Sequence, residues 1–223
     1  MSATGNLWIV GYGTGLGDSL ASRFAREGFD VIALSSHTPS SALPTARHAR
    51  LDVLAPDASE RLSRLMDDHG VPDVLVYNVG MFLRGTWSEL SEAGFRACWE
   101  RMVLGAFRVA KEVLPAMATR GCGSAIFSGA TASLRGGAEF AAFASAKFAL
   151  RGMVQALART YQPAGLHVAH VVLDGVIAGS ARASQFIARL DPDAIADCYW
   201  AISQQPAGAW THELDLRGAD EPF

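Results

Sequence analysis

The stretch that most constrains this chain is an apolar run that empties directly into a glycine turn. Leu7-Trp8-Ile9-Val10 is continuously apolar, as a strand buried on both faces of a parallel sheet has to be, and Gly11-Tyr12-Gly13-Thr14-Gly15-Leu16-Gly17 follows at once. A helical pattern begins near Leu16, with Leu20, Ala21 and Phe24 on one side. Glycines permit the tight turn and let backbone N–H groups approach a pyrophosphate at the positive end of that helix. A glycine pattern alone also describes an ordinary turn; its place after an N-terminal strand is what favours a dinucleotide site. Gly11, Tyr12, Gly13, Gly15, Leu16 and Gly17 are therefore candidate cofactor-binding residues.

The same alternation continues along the chain. Strands are expected at Asp30–Ser35, Arg50–Val53, Asp73–Tyr77, Gly123–Ser128, His167–Leu173 and His212–Leu216. Helical patterns fall between them, over Pro56–His69, Ser91–Ala118 and Phe140–Tyr161, and another starts at Asp191-Pro192 with a capping aspartate and a first-turn proline. Thr38–Thr45, with two prolines, reads as a surface excursion. The expectation is one α/β domain over residues 1–223: a doubly wound, parallel, seven-stranded sheet with helices on both faces and ligand at the carboxyl ends of the strands.

Composition narrows the partners. The net charge of −3 comes with no Lys/Arg-rich block, which argues against nucleic acid, and no apolar stretch approaches the ~18 residues of a membrane span. Charged residues make up only 18% of the 223, below the usual quarter, so part of the surface is expected to be covered by another subunit. Cys98, Cys122 and Cys198 are odd in number and widely spaced, suiting cytoplasmic thiols rather than a disulfide framework or a zinc site. His167 and His170, three apart on a strand, point to opposite faces, and no metal site is expected.

Phe143-Ala144-Ser145-Ala146-Lys147 lies within the Phe140–Tyr161 pattern, and its first and last residues, four apart, share a helix face. It resembles the Tyr-x-x-x-Lys signature of the short-chain dehydrogenase/reductase family, with Phe143 in the tyrosine's place. Gly11, Gly15 and Gly17 resemble the family's Gly-x-x-x-Gly-x-Gly; Asp52-Val53 resembles its Asp-Val; Asn78-Val79-Gly80 resembles part of its Asn-Asn-Ala-Gly. Gly105-Ala106-Phe107, within the Ser91–Ala118 pattern, resembles the centre of the family's corresponding long helix, and Asp174-Gly175-Val176-Ile177 stands where it has Pro-Gly-x-Val. The resemblance implies a strand order of 3-2-1-4-5-6-7, a nicotinamide dinucleotide in the cleft, and homodimers or homotetramers often built on the helix carrying Lys147. It also implies catalytic roles for four positions. Counting along the motifs puts Met102 in the asparagine's place, Ala130 in the serine's and Phe143 in the tyrosine's, so only Lys147 is retained.

After the second strand come Ser35, Ser36 and His37 with no carboxylate, which favours NADP over NAD. The remaining expected cofactor residues are Asp52, Val53, Asn78, Val79, Gly80, Lys147, Asp174, Gly175 and Ile177; Asp52 is otherwise a helix cap, and Asp174-Gly175 otherwise a turn. The function expected is an oxidoreductase acting on a small apolar carbonyl or alcohol, with Lys147, Thr131 and Phe143 at its centre and the proton handled by Thr131, Ser128, Asp174 or a water. Met81, Phe82, Arg135, Glu139 and Phe186 are pocket candidates, and Ser184–Leu190 a candidate lid. The alternatives are a non-catalytic NADP(H)-binding sensor or partner subunit, and a different reaction resting on Asp174.

Overall fold

The computed structural model describes residues 4–37, 43–180 and 189–219. In chain order the elements are β1 (Gly5–Val10), α1 (Leu16–Arg26), β2 (Phe29–Ser35), β3 (Arg47–Arg50), α2 (Ala58–His69), β4 (Val74–Tyr77), α3 (Glu92–Trp99), α4 (Gly105–Thr119), β5 (Ser124–Ser128), α5 (Ala141–Tyr161), β6 (His167–Asp174), β7 (Val176–Ile177), β8 (Arg189–Leu190), α6 (Pro192–Ser203) and β9 (Glu213–Arg217). Seven strands form one parallel sheet in the order β3-β2-β1-β4-β5-β6-β9, and β7 pairs with β8 beside it.

The central strands are buried on both faces, which is why β1 and β4 read as unbroken apolar runs, while the edge strands β3 and β9 carry charged residues. Trp8 and Val10 of β1 face α2, α4 and α5, joining Leu62, Val113 and Val154 in one core. Leu7 and Ile9 face α1 and α6, joining Phe24, Ile195 and Tyr199 in the other. The order turns back at β1 and β4, so their carboxyl ends part and open a crevice for ligand.

Three elements differ from the sequence reading. The third strand is Arg47–Arg50, not Arg50–Val53: its ladder runs out where Arg50 lies opposite Ser35, and Leu51 N–H closes it on the Ser35 carbonyl at 2.8 Å. The region expected as one helix over Ser91–Ala118 is α3 and α4 joined by a π-helical turn, Glu100–Leu104. There Tyr77 Oη donates to the Arg101 carbonyl at 2.6 Å, and a Cβ on Gly105 would lie 2.6 Å from that same hydroxyl. Tyr77 thus presses into the helix, and a wider turn accommodates it. α2 begins at Ala58, so Asp52 is not its cap. Of the candidate lid, residues 184–188, including Phe186, lie outside the described residues. No helix among the described residues is long and apolar enough to cross a membrane.

Candidate functional site

A cleft of about 820 Å³ opens at the carboxyl ends of β1, β2, β4, β5 and β6. Its floor is the glycine turn. Gly11 has φ +86°, and a Cβ there would lie 2.5 Å from the Val79 nitrogen, so only glycine lets the turn sit against the chain leaving β4. The amides of Gly11 and Tyr12 both donate to the Leu34 carbonyl, at 2.9 and 3.0 Å, and tie the turn to β2. Gly15 caps α1 without a side-chain hydrogen bond, leaving the first amides of that helix to face an anion. This cradle fits a dinucleotide pyrophosphate.

Tyr12 folds under the turn: its hydroxyl donates to Asp18 in the first turn of α1, and its ring meets His48 edge-on at 5.0 Å. Burial and the Asp18 carboxylate push its phenol well above the ordinary range. Gly17 lies outside the cleft wall and serves this packing, since a Cβ there would come within 3.2 Å of the Tyr12 ring. Gly15 also lies outside the wall, against the backbone of Ala178 and Ser180.

Of the other expected cofactor residues, Ser35, Ser36, His37, Asp52, Val53, Asn78, Val79, Gly80, Lys147, Gly175 and Ile177 all line the cleft, together with Gly11, Tyr12, Gly13 and Leu16. Asp52 folds back on its own turn, accepting from Leu54 N–H at 2.9 Å. Asp174 does not line it. That carboxylate is 2% exposed, accepts from the Thr131 hydroxyl and pairs with Arg217 of β9 at 2.7 Å, so it fastens the sheet edge rather than facing ligand. Thr131 likewise stands beside the wall, its proton committed to Asp174. The Ser128 hydroxyl is shared with Tyr199 Oη at 2.9 Å on the α6 side of the sheet.

Lys147 is 5% exposed and lines the cleft; its Nζ donates to the Ser128 carbonyl at 2.7 Å and lies 5.8 Å from the centre of the Phe143 ring. Phe143, Met102 and Cys98 join one apolar cluster with Met81, Phe82 and Ala130 packed against it. Phe82 meets the Phe143 ring at 5.4 Å and Phe140 at 5.6 Å. Met102, Ala130 and Phe143, the three positions that the resemblance set against catalytic residues, therefore meet in one continuous apolar patch beside the Lys147 side chain. Arg84 and Glu139, close in sequence to Phe82 and Phe140, pair at 2.5 Å.

Sequence reasoning missed Arg50 and Arg101, which also line the cleft. Arg50 was hidden by the misplaced third strand: as the first residue of Arg50–Val53 it would start the strand, whereas as the last residue of β3 it lies opposite Ser35 at the carboxyl ends. A network behind Lys147 had no signal in the sequence. Arg151, one turn further along α5, forms a forked pair with Glu213 of β9 at 2.6 and 2.7 Å, and Glu213 lies 3.1 Å from His170 Nδ1. Burial pushes His170 down to about 4, and the Arg151 fork holds Glu213 below the usual carboxylate range. His167 instead stacks on Trp210 and reaches the Thr211 carbonyl at 2.8 Å.

Comparison with known proteins agrees with this geometry. A short-chain dehydrogenase from Rhodopseudomonas palustris is similar to the whole molecule, with a TM-score of 0.83, 33% identity and 98% of each chain covered. An alcohol dehydrogenase from Thermococcus sibiricus, complexed with 5-hydroxy-NADP, shares the fold at a TM-score of 0.84 and 21% identity, again over 98% of both chains. In sequence, 3-dehydrosphinganine reductase TSC10B of Arabidopsis thaliana is 30% identical over 173 residues, which are 73% of this chain and 52% of that relative. The chain thus spans about half the length of that protein. The family model described as short chain dehydrogenase matches residues 6–186, and with the glycine cradle and Lys147 in place the chain belongs to that family.

Proposed function

We propose that this protein is an NADP(H)-dependent oxidoreductase of the cytoplasm that interconverts a small apolar carbonyl and its alcohol. The observation that carries the reading is Lys147: a buried ammonium, held by the Ser128 carbonyl, inside a cleft whose glycine turn suits a pyrophosphate. NADP(H), when bound, would supply or take up the hydride at the substrate carbon. The substrate oxygen then needs one proton on reduction and gives one up on oxidation. Phe143 has no proton to pass, the Thr131 proton points to Asp174, and the Ser128 hydroxyl lies on the far side of the sheet. That leaves the Lys147 ammonium, acting through a water, as the group that moves the proton. Phe143 and Ala130, which line the cleft and are backed by the buried Met102, select an apolar substrate body.

Support comes also from the relatives, which are described as reductases and dehydrogenases, one with an NADP derivative bound. They give no support to a non-catalytic sensor or partner subunit. Absence of a carboxylate after β2 favours NADP over NAD. A second copy of the chain, in a homodimer or homotetramer, is the partner we propose, through α3, α4 and α5, where Phe95, Trp99, Phe107 and Phe148 are 37–47% exposed. No nucleic acid or membrane partner is proposed.

The test follows NADPH absorbance across a panel of small ketones and aldehydes. Turnover that disappears in Lys147→Met and survives in Thr131→Val is expected. Turnover that survives in Lys147→Met but is lost in Thr131→Val would move the proton to the Thr131–Asp174 pair. No turnover of any carbonyl or alcohol by protein shown to hold the cofactor would overturn the enzymatic reading.

A further inference from the structure

On the NADP(H) reading above, we propose that Arg50 is the cation that recognises the adenosine 2′-phosphate, supplied from the end of the third strand rather than from the segment after the second. The parallel register sets Arg50 opposite Ser35, and the Leu51 N–H bond to the Ser35 carbonyl fixes that placement. Side chains two apart on a strand share a face. His48 meets the Tyr12 ring beneath the glycine turn, so Arg50 leaves β3 on that same face, one pleat nearer the cleft it lines.

The neighbouring groups leave this task to Arg50. Ser35 donates its hydroxyl to the His37 carbonyl, and Ser36 Oγ lies 2.8 Å from His37 Nδ1, so the polar side chains after β2 are turned upon one another. Asp52, two residues on, is folded against Leu54 N–H. Arg47, at the other end of β3, pairs with Asp30 at 3.3 Å, whereas Arg50 has no carboxylate partner among the described residues. Lys147 is anchored at the far end of the cleft by Ser128. A guanidinium presents a flat fork of donors that matches phosphate oxygens in pairs.

Calorimetric titration of the cofactor-stripped full chain and of Arg50→Ala, with NADPH, NADH and 2′,5′-ADP, tests this. Arg50→Ala should weaken NADPH and 2′,5′-ADP about 10- to 100-fold, the loss expected of one charge-assisted phosphate contact, with NADH within about threefold of the wild type. Arg50→Lys should recover part of the loss. Retained NADH binding also reports that the variant is folded. Equal weakening of NADPH and NADH, or no weakening of either, would overturn the role of Arg50 and leave the NADP(H) reading standing. Wild-type protein that binds NADH as tightly as NADPH would overturn both.

Discussion

Phe143 differs from tyrosine by one oxygen, and that oxygen separates a positioned acid from a hydrophobic wall. Lys147 lies 5.8 Å from the ring centre, so a hydroxyl added at its edge would enter a field already set for proton transfer. Phe143→Tyr is therefore expected to raise carbonyl turnover by about 10²–10⁴, the usual contribution of one positioned acid. Unchanged turnover in steady-state assays would mean that the substrate oxygen lies away from position 143. At Gly11 the constraint is steric. With φ +86° and the Val79 nitrogen 2.5 Å from where a Cβ would stand, Gly11→Ala is expected to destabilise the fold by about 1–3 kcal/mol and weaken NADPH binding, read by thermal melting and titration. A change in melting temperature of less than a degree would show that the turn relaxes freely.

Between elements, the Arg151–Glu213–His170 network joins α5, β9 and β6 behind Lys147. His170 is held down to about 4 by burial, against about 6.5 in the unfolded chain. Between those values the unfolded chain takes up a proton that the folded one refuses, so stability falls as pH drops through this window. The lowered Glu213 carboxyl acts in the same sense at lower pH, since its contribution is lost as pH falls through its folded value. Denaturant melts at pH 7 and pH 5 should differ by about 2 kcal/mol more in wild type than in His170→Asn. Equal pH dependence would remove His170 from the account. None of this network is legible in the sequence, because its members meet only through the pairing of β6 with β9 and the packing of α5. The π-helical turn was hidden for a related reason: the periodicity over Ser91–Ala118 is helical throughout, and the Tyr77 hydroxyl that meets the Arg101 carbonyl there comes from a strand far off in sequence. The central strands were legible, since burial on both faces writes itself as unbroken apolar runs such as Leu7–Val10 and Val74–Tyr77; β3, half-buried or exposed along its length, was not.

For the whole molecule, the exposed aromatics of α3, α4 and α5 predict self-association. Light scattering of the wild type should report a dimer or tetramer, and Phe107→Glu with Phe148→Glu should shift it toward the monomer. A monomeric wild type would place those aromatics in another contact. The cleft itself was largely readable, because its glycines, Asn78 and Lys147 come from motifs confined to single elements. Asp174 was misleading: in sequence it occupies a ligand-facing turn, and in space Arg217 and Thr131 claim it. Arg50 needed the register of two strands. The roles proposed for Lys147 and Arg50 require the cleft to hold a nicotinamide dinucleotide. Calorimetric titration of the stripped wild-type chain with NADPH and NADH addresses that claim most directly. Saturable binding at one site per chain, tighter for NADPH, is the predicted result; absence of binding by both would contradict it and leave the glycine turn as structure alone.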